Sequence, residues 1–188
     1  MLPITVEVIR KRPSMYIGDV GPRGLGQLLW ELLGNAVDEH LAGRCNTIAV
    51  TLEREGWVTV EDDGRGMPVT PGDDGRSLTE TALRDWHDSP TLDGHKPHVH
   101  LSTMGIGLVL VNALSDSMVI ESRSEGRRYQ VTCAEQKPSS PVDLGPCESS
   151  GTRVRFRPDP AIFGAARFNP PYSCQKSGTP SENGIEPG

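Results

Sequence analysis

The strongest apolar rhythm in the chain lies between residues 25 and 41. Leu25, Leu28, Leu29, Leu32, Leu33, Ala36 and Val37 recur at helical spacing, and Gly43 stands just past the end. The spacing predicts an amphipathic helix over 25–41 with one face buried. A shorter helix is expected over 5–12, with Thr5 at its cap, and Pro13 ends it because proline removes a donor and restricts the residue before it. Residues 18–24 read as a Gly/Pro loop. Alternating apolar and polar positions predict strands at 47–52 and 57–62 around a short turn at Arg54-Glu55-Gly56. Further strands are expected at 118–123, 127–133 and 152–157. Ser77-x-x-Glu80 is a capping box that opens another helix, with Leu78, Ala82, Leu83 and Trp86 on its apolar side, and 107–114 is again helical. Residues 63–75 form a loop rich in Asp, Gly and Pro, and 89–102 read as a mobile loop. No internal repeat is present. This order predicts an α+β fold, a two-layer sandwich with helices on one face of a mixed, largely antiparallel sheet.

Composition narrows the picture. The chain has 188 residues, a length that suits one domain with a real core. Only 35% of residues are apolar, and 21 Gly and 16 Pro dilute the fold with loops and tails. Pro, Ser, Gly and Asn dominate from Asn169 onward, so the folded domain is expected over 1–168 and a disordered tail over 169–188. The net charge of −6 argues against a DNA clamp, which needs clustered Lys and Arg; Arg10-Lys11-Arg12 is too short a cluster to alter that. No apolar run is long enough to cross a bilayer and the N-terminus lacks a signal-peptide core, which places the protein in the cytoplasm, away from membranes. Cys45, Cys133, Cys147 and Cys174 lack the spacing of a zinc site and read as reduced thiols.

Three constellations carry chemistry. On the polar face of the long helix, Glu31, Asn35 and Asp38 fall at i, i+4 and i+7, within about 60° of one another. A solvated face is the ordinary meaning of such a triad. Asn35 in mid-helix and Gly34 beside it are poor helix formers, however, and Gly34 leaves space above the helix. A carboxylate and an amide oxygen one turn apart can position a water and a hard cation such as Mg²⁺. The second constellation is Glu61-Asp62-Asp63-Gly64-Arg65-Gly66-Met67-Pro68 at the end of a strand. It is either a surface turn or a carboxylate held to accept a ligand's N–H, with glycines allowing close approach. The third is Gly105-Ile106-Gly107-Leu108, a Gly-x-Gly entering a helix whose free N–H groups suit an anion; no Walker loop follows. In this chain order the three supply a water activator, a base reader and a phosphate cradle, which together describe a nucleotide site.

The residues resemble a known family at this point. Arg10-Lys-Arg-Pro-Ser-Met-Tyr-Ile-Gly-Asp19, Glu31-Leu-Leu-Gly-Asn35-Ala-Val-Asp38-Glu39, Asp62-Asp-Gly-Arg-Gly-Met-Pro68, Gly105-Ile-Gly-Leu-Val-Leu-Val-Asn112-Ala-Leu-Ser115 and Gly151-Thr152-x-Val-Arg-Phe156 look like the ATPase domain of DNA gyrase B and its topoisomerase IV counterpart. These are GHKL ATPases with the Bergerat fold, and the resemblance covers about residues 5–163. It implies ATP and Mg²⁺ as cofactors. It implies Glu31 as the base that orients the attacking water and Asn35 as the holder of Mg²⁺. Asp62 would accept the adenine amino group with Thr152 in support, and Asp38 would belong to the same nucleotide site. Gly64, Arg65, Gly66 and Pro68 would wall the adenine pocket, and Gly105, Ile106, Gly107 and Leu108 would meet the phosphates. Phosphoryl transfer asks for charge neutralisation and an in-line water more than for covalent chemistry, which suits this set.

The departures from the family also carry expectations. Leu101-Ser102-Thr103-Met104 replaces a Gly-rich lid, Lys96 stands in for a Gly-Gly-Lys phosphate contact, and Gly34 occupies a usual Asp position. The family's transducer domain with its lysine, its swapped N-terminal arm, and its DNA-cleaving and toprim domains have no counterpart here, so strand passage is not expected of this chain alone. The reading is a slow ATPase of gyrase B type, with another topoisomerase chain and, through it, DNA as partners, and a weak or ATP-dependent homodimer. Two rivals are a non-hydrolysing paralogue that regulates or protects a topoisomerase and a kinase of the same superfamily.

Overall fold

The computed structural model describes residues 4–53, 55–73, 75–84 and 106–168. Two short helices come first, α1 (Val6–Lys11) and α2 (Ser14–Ile17). Pro13 stops α1 and then serves as the cap of α2, where its fixed φ of −58° already suits a helix. The sequence pattern did not signal α2, whose four residues are too few to show a period. The long helix α3 (Pro22–Leu41) begins inside the segment expected to be a loop. Pro22 stands in its first turn, and the Asp19 carboxylate accepts the N–H groups of Gly21 (2.7 Å) and Gly24 (3.2 Å). A Cβ on Gly24 would sit 1.9 Å from the Asp19 carbonyl oxygen, so glycine there reflects close packing rather than a loop.

Among the described residues seven strands make one sheet, in the order β1 (Ile48–Leu52), β2 (Val58–Asp62), β7 (Gly151–Pro158), β3 (Ser115–Ser124), β4 (Arg127–Ala134), β5 (Lys137–Pro138). The outer edge of β4 is shared, with β5 at one end and β6 (Val142–Pro146) along the other. Every pairing among the described residues is antiparallel. Neither β5 nor β6 is legible in the sequence, because one has two residues and the other is five residues long and almost wholly exposed. The strand expected at 118–123 begins earlier, at Ser115, after a register shift between Ser115 and Ser117.

Helices α3, α4 (Leu78–Arg84) and α5 (Gly107–Ala113) pack with the sheet's apolar side. Leu25, Leu28 and Leu32 of α3 meet Leu110 and Val111 of α5 and Val58, Met118, Ile120, Val154 and Phe156 of the sheet in one buried cluster. The capping box closes as expected: the Ser77 N–H donates to Glu80 at 2.9 Å and the Glu80 N–H donates to the Ser77 hydroxyl at 3.1 Å. A further short helix, α6 (Pro160–Phe163), is capped by Asp159, which also pairs with Arg10 at 2.6 Å and so ties α1 to the end of β7. The expected loop at 89–102 and tail at 169–188 lie outside the described residues.

Candidate functional site

β2 ends on Asp62, and main chain holds its carboxylate. Oδ1 accepts the N–H of Gly64 at 2.9 Å and the N–H of Thr152, at the start of β7, at 3.2 Å. Thr152 thus reaches Asp62 through its backbone. Gly151 beside it has φ +135°, and a Cβ there would lie 2.1 Å from the Asp62 carbonyl oxygen. The Gly-rich turn that follows is fastened from two sides. The Ser122 hydroxyl donates to the Met67 carbonyl at 2.8 Å, and Thr79 of α4 donates its hydroxyl to the Pro68 carbonyl at 2.5 Å. Gly66 has φ +80° and packs against the carbonyl of Arg123, so a side chain would collide there.

The neighbouring carboxylates differ in electrostatics. Burial pushes the Asp62 carboxyl up; the N–H groups of Gly64 and Thr152 pull it down, Glu39 pushes it up and Arg123 pulls it down, and the net result lies above the ordinary value. Asp63 moves the other way, to about 2, because the N–H groups of Thr47 and Asn46 donate to it. Its Oδ1 holds Asn46 at 2.7 Å and Thr47 at 2.9 Å, which locks the start of β1 to the loop.

On α3 the expected polar face is largely covered. Glu31 is 3% exposed and Asp38 7% exposed, while Asn35 between them is open to solvent. Gly34 is buried. Gln27, one turn before Glu31, donates its side-chain amide to Glu31 Oε1 at 2.7 Å. Farther along, Glu39 takes both Arg44 and Arg65 at 3.0 Å. Burial works against the Glu39 charge, but the hydrogen bonds from Arg44 and then Arg65 outweigh it and hold its carboxyl below the usual value. Arg65 therefore fastens the Gly-rich turn to α3, which also packs on β2 and α5. Ile106 and Leu108 are buried at the start of α5, and that start has no side-chain cap. Gly105 lies outside the described residues.

The donor set suits a hard cation. Mg²⁺ takes oxygen ligands, keeps several waters and relies on substrate phosphates, so one exposed amide oxygen at Asn35 beside a buried carboxylate fits it. No cluster of three or more His, Cys, Asp or Glu able to hold a metal occurs among the described residues. A separate cavity of about 570 Å³, lined by Trp57, Asp116, Arg157, Phe163 and Phe168, contains none of the candidate residues.

Comparison with known proteins identifies the relatives of this arrangement. The family of histidine kinase-, DNA gyrase B- and HSP90-like ATPases matches residues 21–162. The chain belongs to that family. DNA gyrase B of Thermotoga maritima is 40% identical over 167 residues, covering 88% of this chain and 26% of that protein. DNA gyrase B of Archaeoglobus fulgidus is 39% identical over 168 residues, covering 87% of this chain and 27% of that protein. The crystal structure of the 43K ATPase domain of Thermus thermophilus gyrase B, in complex with an aminocoumarin, superposes with a TM-score of 0.73 at 38% identity. That match covers 88% of this chain and 42% of the other. The chain thus spans about a quarter of the length of the curated gyrase B relatives it matches. In sequence and fold it is a gyrase B-like ATPase domain.

Several residues that shape the site carry no functional signal in the sequence. Gln27 was discoverable, since residues four apart on a helix face each other. Ser122 and Arg123 lie on a strand far along the chain from the loop they support. Only the register of the sheet brings them there.

Proposed function

We propose that this chain binds ATP with Mg²⁺ and hydrolyses it slowly. One observation supports the reading above the others. Asp62 has Oδ1 engaged by two main-chain N–H groups at a strand end, a geometry that leaves Oδ2 to accept the amino group of adenine. Gly64, Arg65, Gly66 and Pro68 wall the base, with Thr152 behind it. Asp38 borders the same site from α3, and Gly105, Ile106, Gly107 and Leu108 meet the phosphates. Asn35 holds Mg²⁺, which neutralises phosphate charge when bound. Glu31, buried and oriented by Gln27, accepts a proton from the attacking water. The non-hydrolysing alternative is not favoured, because the chain keeps both Glu31 and Asn35 and matches DNA gyrase B at 40% identity.

In a longer assembly this turnover serves a type II DNA topoisomerase, with other chains or domains supplying the DNA chemistry and ATP favouring dimerisation. Its place of action is the cytoplasm; among the described residues no helix is long and apolar enough to cross a membrane. A phosphate-release assay on the chain and on Glu31→Ala tests the reaction. The variant is expected to lose about 10²–10⁴-fold in turnover. Equal rates in the two proteins would overturn the assignment of Glu31.

A further inference from the structure

Arg123 stands near the end of β3, opposite Gly151 of β7, and β7 separates it from β2. Its guanidinium crosses that intervening strand. Nη1 donates to Glu61 Oε1 at 2.7 Å and Nη2 donates to the Asp62 carbonyl at 3.3 Å. The crossing passes close over Gly151, where a Cβ would lie 2.8 Å from Nη2. The Arg123 side chain is 16% exposed, and its buried Nε has no hydrogen-bond partner among the described residues. A nearly buried guanidinium with an unsatisfied donor is costly. The sheet does not require it, because β2–β7 and β7–β3 are already joined by their own ladders. What the arrangement adds is a grip on the strand end that carries Asp62. Ser122, the preceding residue, adds a second grip through Met67.

We propose that Arg123 is a positioning residue for purine recognition, acting through Asp62 by holding its carbonyl across Gly151. This rests on the reading of Asp62 as the acceptor of the adenine amino group. Arg123 touches no nucleotide itself. It fixes the backbone from which the Asp62 carboxylate projects, so its loss lets that carboxylate drift relative to the base while the phosphate contacts persist.

The test is the ratio of affinities for ATP and for purine riboside 5′-triphosphate, which lacks the 6-amino group, measured on the full 188-residue chain by calorimetry. The wild type is expected to favour ATP by about tenfold or more, the effect of one hydrogen bond to a charged acceptor. Asp62→Asn should bring that ratio to about one. Arg123→Gln should compress it roughly threefold or more, with the affinity for the purine riboside nucleotide little changed. Arg123→Lys, which keeps the charge but loses one prong, should fall between. It carries the same test if the Gln variant does not fold. If Asp62→Asn keeps the wild-type ratio, the base-reader assignment fails and this proposal with it. If Asp62→Asn abolishes the ratio but the folded Arg123 variant weakens both nucleotides equally, Arg123 is only a structural brace and the proposal alone is overturned.

Discussion

At the end of β2 a carboxylate is held by main chain, whereas on α3 a carboxylate is held by another side chain. Asp62 takes its two hydrogen bonds from the backbone of Gly64 and Thr152, and the turn beyond it is fastened at the carbonyls of Met67 and Pro68. Glu31 takes a hydrogen bond from the amide of Gln27, whose side chain must give up rotamer freedom to make it. Backbone donors lock a group that has only to recognise a fixed shape. A side-chain donor leaves an adjustable group where charge and water rearrange during a reaction. On the proposed reading the β2 end serves base recognition and Glu31 of α3 serves turnover.

Four substitutions sharpen or break that division. Gly151→Ala should have the largest effect, since the new Cβ meets the Asp62 carbonyl oxygen at 2.1 Å and φ is +135°. We expect about 3 kcal/mol of lost stability in denaturant unfolding, together with loss of ATP binding. A loss within the ±0.5 kcal/mol typical of plain surface changes would show that the backbone grip is dispensable. Gln27→Ala is next: turnover should fall roughly tenfold while KM for ATP stays within about twofold. If KM rises and turnover does not change, the α3 side serves binding and the division fails.

The smallest effects come from the adjacent pair Asp62 and Asp63, whose signs should oppose. Asp62 has a raised carboxyl in the fold, so its contribution to stability is present below its unfolded value and lost as pH rises through the folded one. At neutral pH the charge works against the fold, and Asp62→Asn should raise Tm in the absence of nucleotide. Asp63 is lowered to about 2, so its contribution is present above the unfolded value and lost as pH falls toward 2. Asp63→Asn should lower Tm at pH 7 and flatten the loss of stability in acid. Thermal melts of both variants across pH decide the point, and shifts of the same sign would contradict it. The raised Asp62 carboxyl also predicts that ATP binding weakens on acidification at a pH above the ordinary aspartate value of 3.8.

Much of the fold was legible because its apolar periods are local. The leucine stripe of α3, the capping box at Ser77 and the alternation in β2, β3, β4 and β7 each occupy one short window. The elements that escaped, α2, β5 and β6, are too short or too exposed to carry a period. The site was legible as residue types but not as electrostatics. Nothing in Asp62-Asp63 distinguishes the two carboxylates, whose fates diverge because the fold buries Asp62 and leaves Asp63 exposed to accept the N–H groups of Thr47 and Asn46. Likewise Glu31 and Asp38 lie on a face that periodicity marks as polar, yet tertiary packing buries both. The contribution of Arg123 required the sheet order, because β7, last in sequence, sits between β2 and β3.

Calorimetry with a nonhydrolysable ATP analogue and Mg²⁺, on the wild type, Glu31→Ala and Asp62→Asn, tests the central claim most directly. The account predicts that Glu31→Ala binds as the wild type does and that Asp62→Asn loses about tenfold or more in affinity. Wild-type affinity in Asp62→Asn would contradict it.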